Sequence, residues 1–177
     1  GVATFNTAIS GVIKATVDGG GSLGTFILST FEFDGEGWSR NFPTSSIAGS
    51  SLGDPGAFSN WESSGGNPDG YFSLSEPDGP RQDFALVPPK FLGNLAGLSN
   101  PRLEFDYRHT AGAAAIFRLT VRLLGAASAF EWNSSSPPPS AWTHFRLALE
   151  TPTFQRTSGA ATLAQALANV ERIEISM

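Results

Sequence analysis

The chain has no cysteine, one methionine, two tyrosines and two histidines among its 177 residues. Without cysteine there is no disulfide, no thiol nucleophile and no thiolate-held zinc or iron–sulfur centre. His109 and His144 belong to no recognisable serine-hydrolase or metal motif, and two histidines make a zinc site a poor expectation. Charge is scarce as well. Asp, Glu, Lys and Arg make up 15% of the residues and leave a net charge of −5, where about a quarter charged is usual for a globular domain. A nucleic-acid surface needs a basic stripe. The arginines here alternate with acids inside strand-like patterns, so no nucleic-acid partner is expected. No run approaches the ~18 consecutive apolar residues of a membrane span. The opening GVATFNTAISG has no basic stretch leading into an apolar one, so no signal peptide is expected within it.

What is present is apolar and aromatic. Fourteen Phe and four Trp stand in a chain that is 40% apolar, enough for one ordinary domain with a real core. The clearest pattern has period two. Leu103, Phe105 and Tyr107 alternate with Arg102, Glu104, Asp106 and Arg108. Phe117, Leu119, Val121 and Leu123 alternate with Arg118, Thr120 and Arg122. Phe145, Leu147 and Leu149 alternate with His144 and Arg146, and Ile173, Ile175 and Met177 with Arg172 and Glu174. One oily and one charged face per segment is the mark of antiparallel strands with one wet side. Further strands are expected over 24–33 and 82–87, the latter stopped by Pro88 and Pro89. Residues 39–66 have no sustained period and read as irregular loops, and 133–141, with three prolines, as a rigid polar loop. One helix is expected, over 163–169, opened by a Thr162–Gln165 capping box with Leu163 and Leu167 on one face. The glycine triplet 19–21 sets residues 1–22 apart as an N-terminal extension or an edge strand, leaving 23–177 as the main domain. The fold expected is all-β, with two packed antiparallel sheets and one short helix near the C-terminus.

Several pieces, in order and spacing, resemble the laminin B domain (laminin domain IV) family. They are FEFDGEGW at 31–38, Trp61 followed by GGNPDGYFSL at 65–74, FALVPPKFLGNL at 84–95 and RLEFDYR at 102–108. VRLLG at 121–125, AWTHFRLAL at 141–149 and TLAQALANVERIEI at 162–175 continue the series. The resemblance spans roughly residues 30–176 and implies a jelly-roll sandwich of the galactose-binding-like kind. It implies a non-enzymatic module of a secreted, extracellular or cell-surface protein, here without the cysteine-rich repeats that flank the domain in laminins.

Glu32, Asp34 and Glu36 crowd one strand end beside two glycines, and hard oxygen ligands on a tight turn suit Ca²⁺. The resemblance to jelly-roll carbohydrate modules adds Glu174, near the end of the last strand, with loop oxygens from around Asp69 or Asp78, as partners for Glu32 around a structural calcium. The competing reading is solvated acids paired with neighbours such as Arg172. For a glycan ligand, aromatic rings stack on the apolar face of a sugar while directed polar groups bond its hydroxyls. Trp61, Phe58 and Trp132 are the ring candidates, with Trp132 expected to be the most exposed, and Trp61 serves structure equally well. Arg108, Arg118, Arg122, Arg146 and Asp106 are the polar candidates on the charged faces, where they would otherwise form cross-strand charge pairs. Trp38 and Trp142 are expected in the core. Three functions remain open. The first is a non-catalytic glycan-binding module. The second is an adhesive module with a protein partner, including copies of itself joined at an edge strand. The third is a polysaccharide-active hydrolase or lyase using paired carboxylates. Asn133-Ser134-Ser135 is a formal glycosylation sequon.

Overall fold

The computed structural model describes residues 5–10, 29–41, 58–67, 70–76, 84–111, 118–137 and 139–176. In chain order the strands are β1 (Phe5–Ser10), β2 (Ser39–Asn41), β3 (Phe58–Glu62), β4 (Tyr71–Glu76), β5 (Phe84–Leu86), β6 (Arg102–Ala111), β7 (Thr120–Gly125), β8 (Ser128–Asn133), β9 (Thr143–Ala148), β10 (Gln155–Ser158) and β11 (Val170–Ser176). A single 3-10 turn, Pro89–Phe91, and one α-helix, α1 (Leu163–Leu167), complete the described elements. The strands form a five-stranded sheet in the order β3-β4-β1-β6-β9 and a six-stranded sheet in the order β10-β8-β7-β11-β5-β2. Every described pairing is antiparallel. The domain is therefore all-β with a short helix before its last strand.

The alternation read from the sequence decides which faces meet. Leu103, Phe105, Tyr107 and Leu147 of the five-stranded sheet share one core with Val121, Leu123, Phe130, Ile173 and Ile175 of the six-stranded sheet. Rings join the two layers. Trp132 on β8 meets Phe145 on β9 edge-on at 6.0 Å between centroids, and Phe145 in turn stacks on Phe105 at 5.5 Å. Such aromatic pairs contribute about 1 kcal/mol each beyond the area they bury. At the other end of the core Trp38 lies between Phe31 and Phe72, at 5.7 and 6.1 Å.

The helix forms as its capping residues require. The Thr162 hydroxyl accepts from the Gln165 backbone N–H, and the Gln165 side chain accepts from the Thr162 N–H, so both first-turn donors are satisfied. Leu163, Ala166 and Leu167 are its buried face. Gly125 lies directly beneath: a Cβ there would overlap the carbonyl oxygens of Ala166 and Asn169.

Four sequence expectations are corrected. Of the strand expected over 24–33, residues 29–33 are not strand, because residues 29–38 form turns in which a carboxylate takes the backbone donors that a ladder would need, and 24–28 lie outside the described residues. Within 39–66, β3 replaces irregular loop, and β8 and β10 appear where no strand was expected. Within residues 1–22, Phe5–Ser10 is neither an extension nor an edge. It pairs with β4 on one side and with β6 on the other. Finally, the charged face of β6 is not wet: Glu104 and Asp106 are each only 8% exposed. Phe117 and Met177, expected to point inward, lie outside the described residues.

The β7–β8 connection is a two-residue hairpin loop. Gly125 is aligned with Ser128, and Ala126 and Ala127 both adopt positive φ, at 50° and 52°. That is type I′ geometry, which matches the twist of the strands but normally takes Asn-Gly. Each alanine in the left-handed region costs about 1 kcal/mol. Replacing the pair by A126N/A127G should therefore raise stability by about 1–2 kcal/mol, read as a shift of a few degrees in thermal midpoint. An unchanged or lower midpoint would show that the turn carries no such strain.

Candidate functional site

The outer face of the five-stranded sheet collects the polar groups. In the β6–β9 ladder Asp106 is aligned with His144 and Glu104 with Arg146. Period two places all four side chains away from the core. His144 Nδ1 lies 3.3 Å from Asp106 Oδ1, and its Nε2 lies 3.6 Å from Glu104 Oε2. Arg146 Nε meets Glu104 Oε1 at 3.0 Å. The carboxylates are buried while His144 and Arg146 are more than half exposed, so the acids form the floor of the site and the bases its rim.

Two rings stand beside this floor. Tyr71, at the start of β4, and Trp142, just before β9, meet edge-on with centroids 5.7 Å apart. Both are half-buried. The Arg108 guanidinium lies 4.6 Å from the Trp142 ring centroid and 5.8 Å from that of Tyr71, within the range of cation–π attraction. In the strands between, Ala8 and Ser10 of β1 are aligned with Arg108 and Asp106. The loop from β3 to β4 fixes this end. The Trp142 indole N–H donates to the Gly65 carbonyl at 2.9 Å, and the Asn67 amide donates to Asp106 Oδ1 at 3.3 Å.

The loop is in turn braced from below by residues 29–38. Glu36 Oε1 accepts from the backbone N–H groups of Thr30 at 2.6 Å and Phe31 at 2.7 Å and from the Thr30 hydroxyl at 3.2 Å, while its other oxygen pairs with Lys90. This holds Phe31 in the left-handed region at φ 57° with its ring buried. The Phe31 carbonyl then accepts the Trp61 indole N–H at 2.7 Å. Gly70 packs so closely that a Cβ there would overlap the same carbonyl oxygen. Asp34 Oδ1 caps the Glu36 N–H at 2.6 Å, and Phe33, just before Asp34, is left 86% exposed.

Of the residues expected to bind ligand, the structure brings Asp106, Arg108 and Arg146 together on this face. Arg122 is on the other sheet, on β7, where it pairs with Glu131 at 2.6 Å and lies over the Phe84 ring at 4.3 Å. Arg118 is exposed and donates to the Ser134 carbonyl. Trp132 packs against the core rather than projecting, since it occupies an inward position of β8, and Trp61 is anchored to Phe31. Phe58 enters β3 opposite Ser75. Trp142, expected in the core, is at the site instead, because it continues the outward phase of His144 and Arg146 one step before β9. Tyr71, Glu104, His144 and Asn67 were not singled out for binding. Tyr71, Glu104 and His144 share an outward phase on β4, β6 and β9, which is their common signal, whereas Asn67 lies in the β3–β4 loop and carries no such signal.

The acids expected around calcium are dispersed in their bonding. Glu32 and Asp34 are exposed. Glu174 is 3% exposed, and its two oxygens face Arg172 at 3.0 Å and Arg122 at 3.8 Å. A cation brought to Glu174 would have to displace two guanidinium groups, so that carboxylate does not fit the ion. Asp69 and Asp78 lie outside the described residues. Among the described residues no three His, Asp or Glu side chains gather as metal ligands, and no helix is long and apolar enough to cross a membrane.

The chain matches no protein-family model, no curated protein and no solved structure.

The Glu36 clamp gives the domain a pH dependence. Partial burial alone would raise the carboxyl pKa, but the Lys90 ammonium and the Phe31 and Thr30 N–H groups outweigh it and lower the value from 4.5 to about 2. The unfolded chain takes up this proton at an ordinary pKa, so the stabilisation is complete above about 5 and is lost as the pH falls towards 2. Glu36→Gln should cost about 2 kcal/mol at neutral pH and flatten the fall in stability between pH 5 and 2. Urea melts across that range check both, and an equally steep fall in the variant would remove Glu36 as its source.

Proposed function

We propose that this domain is a non-catalytic glycan-binding module of an extracellular or cell-surface protein, a jelly-roll sandwich similar to the laminin B domain. The observation that carries this reading is the pair of half-buried rings, Tyr71 and Trp142, set beside the floor of Glu104 and Asp106 and the hydrogen-bonding groups of Asn67, His144 and Arg146 around it. A sugar ring offers an apolar face to aromatics and hydroxyls to fixed donors and acceptors, and such sites need both kinds of group side by side. The floor is held by ladder pairing and the rings by the β3–β4 loop. Little ordering is then left for the ligand to cause, which favours affinity.

The expected calcium ion remains a proposal for the turn at Glu32 and Asp34, with Asp69 and Asp78 as further oxygen donors, and no part of the ligand contact runs through it. A thermal midpoint that rises in calcium and falls in EDTA supports the ion, and an indifferent one removes it.

The binding reading is tested on a glycan array followed by titration calorimetry. Trp142→Ala and Tyr71→Ala should each weaken the best saccharide ligand tenfold or more, equivalent to about 1.4 kcal/mol, with the fold retained by circular dichroism. Absence of binding to any glycan at millimolar concentration would sink it. Concentration-dependent assemblies in light scattering would then favour the adhesive alternative through an edge strand, and release of reducing ends from a polysaccharide the hydrolytic one, with Glu104 and Asp106 as its acids.

A further inference from the structure

Four of the described cations are matched to a carboxylate. Arg146 meets Glu104, Arg122 meets Glu131, Arg172 meets Glu174 and Lys90 meets Glu36. Arg118 and Arg156 are exposed and donate to backbone carbonyls, where water screens their charge. Arg108 differs from both groups. Among the described residues no carboxylate lies within ion-pairing distance of it, and its Nε is buried without a hydrogen-bond partner. Its guanidinium is held instead against the Trp142 and Tyr71 rings. Ring faces attract a cation but accept none of its N–H bonds. A half-buried guanidinium in that position is stabilised most by an anion that arrives with the ligand.

The shape of that anion follows from the group that would read it. Guanidinium presents its donors in a planar fork that matches the two oxygens of a carboxylate. The site's own carboxylates are engaged elsewhere: Asp106 by Asn67 and His144, and Glu104 by Arg146 and His144. We infer that the saccharide taken by this face is acidic, a uronic acid residue whose carboxylate is bound by Arg108 while Tyr71 and Trp142 cover the apolar side of its ring. The inference rests on the glycan-binding reading and names the ligand class of that same site.

The test compares an oligogalacturonate with its methyl ester, which keeps the sugar and removes the charge. On the whole chain at low ionic strength, calorimetry should give at least tenfold tighter binding to the acid, with the advantage shrinking as salt is added. Arg108→Gln should bring the acid-to-ester affinity ratio close to one, whatever it does to binding overall, and Arg108→Lys, which keeps charge but loses the fork, should restore part of that ratio. If neither variant folds, the acid-to-ester ratio of the unaltered protein still decides. Equal affinities for acid and ester, or binding to neutral glycans alone, overturn the acidic-ligand inference and leave the glycan-binding module standing. Failure to bind any glycan overturns both.

Discussion

One carboxylate holds the turn on which the candidate site is built. Glu36 satisfies two backbone donors and a hydroxyl at Thr30 and Phe31 and is itself balanced by Lys90. Hydrogen bonds to a charged group are worth roughly twice ordinary ones, and these hold a phenylalanine in a backbone region it seldom visits. Because Phe31 is held there, its carbonyl faces Trp61 in β3 and Gly70 just before β4, on either side of the loop that joins the two strands. That loop contributes Gly65 to Trp142 and Asn67 to Asp106. An interaction at the base of the domain thus sets the positions of rings and polar groups on its outer sheet.

The two sheets use their outward faces differently. On the six-stranded sheet Glu131, Arg122, Glu174 and Arg172 form a self-neutralising row, and the alternation of sign across the ladder accounts for it. On the five-stranded sheet the acids are buried, the bases are exposed, and one arginine is matched to aromatic rings rather than to an acid. Folding alone would favour the first arrangement. The second leaves the Arg108 Nε without a hydrogen-bond partner among the described residues, and departures of this kind concentrate where a partner is to be met.

Period-two alternation made the long strands legible: β6, β7, β9 and β11 are where the pattern put them, and the capping box located α1. It failed where the strand was short or the turn unorthodox. The sequence Ala126-Ala127 gives no turn signal, so β8 was hidden behind it even though Ser128, Phe130 and Trp132 alternate correctly. The polar residues around Trp61 concealed β3. For the site, the alternation identified Asp106, Arg108 and Arg146 as sharing an outward phase, but it could not rank the outward faces of two sheets. Arg122 was therefore grouped with residues of the other layer. An aromatic at a strand start such as Trp142 is usually core; its partners Arg108 and Gly65 are distant in sequence, and only the strand pairing and the β3–β4 loop bring them near.

The distribution of the four tryptophans gives the molecule a built-in optical probe. Trp38 is buried, and Trp61 and Trp132 are packed against the core, so their emission reports on the folded interior. Trp142 is the one held against a guanidinium and an aromatic edge on the outer face, where an occupant would change the polarity around the indole. Intrinsic fluorescence of the unlabelled chain therefore contains a component that responds to occupancy of this face, against a background that follows the state of the core.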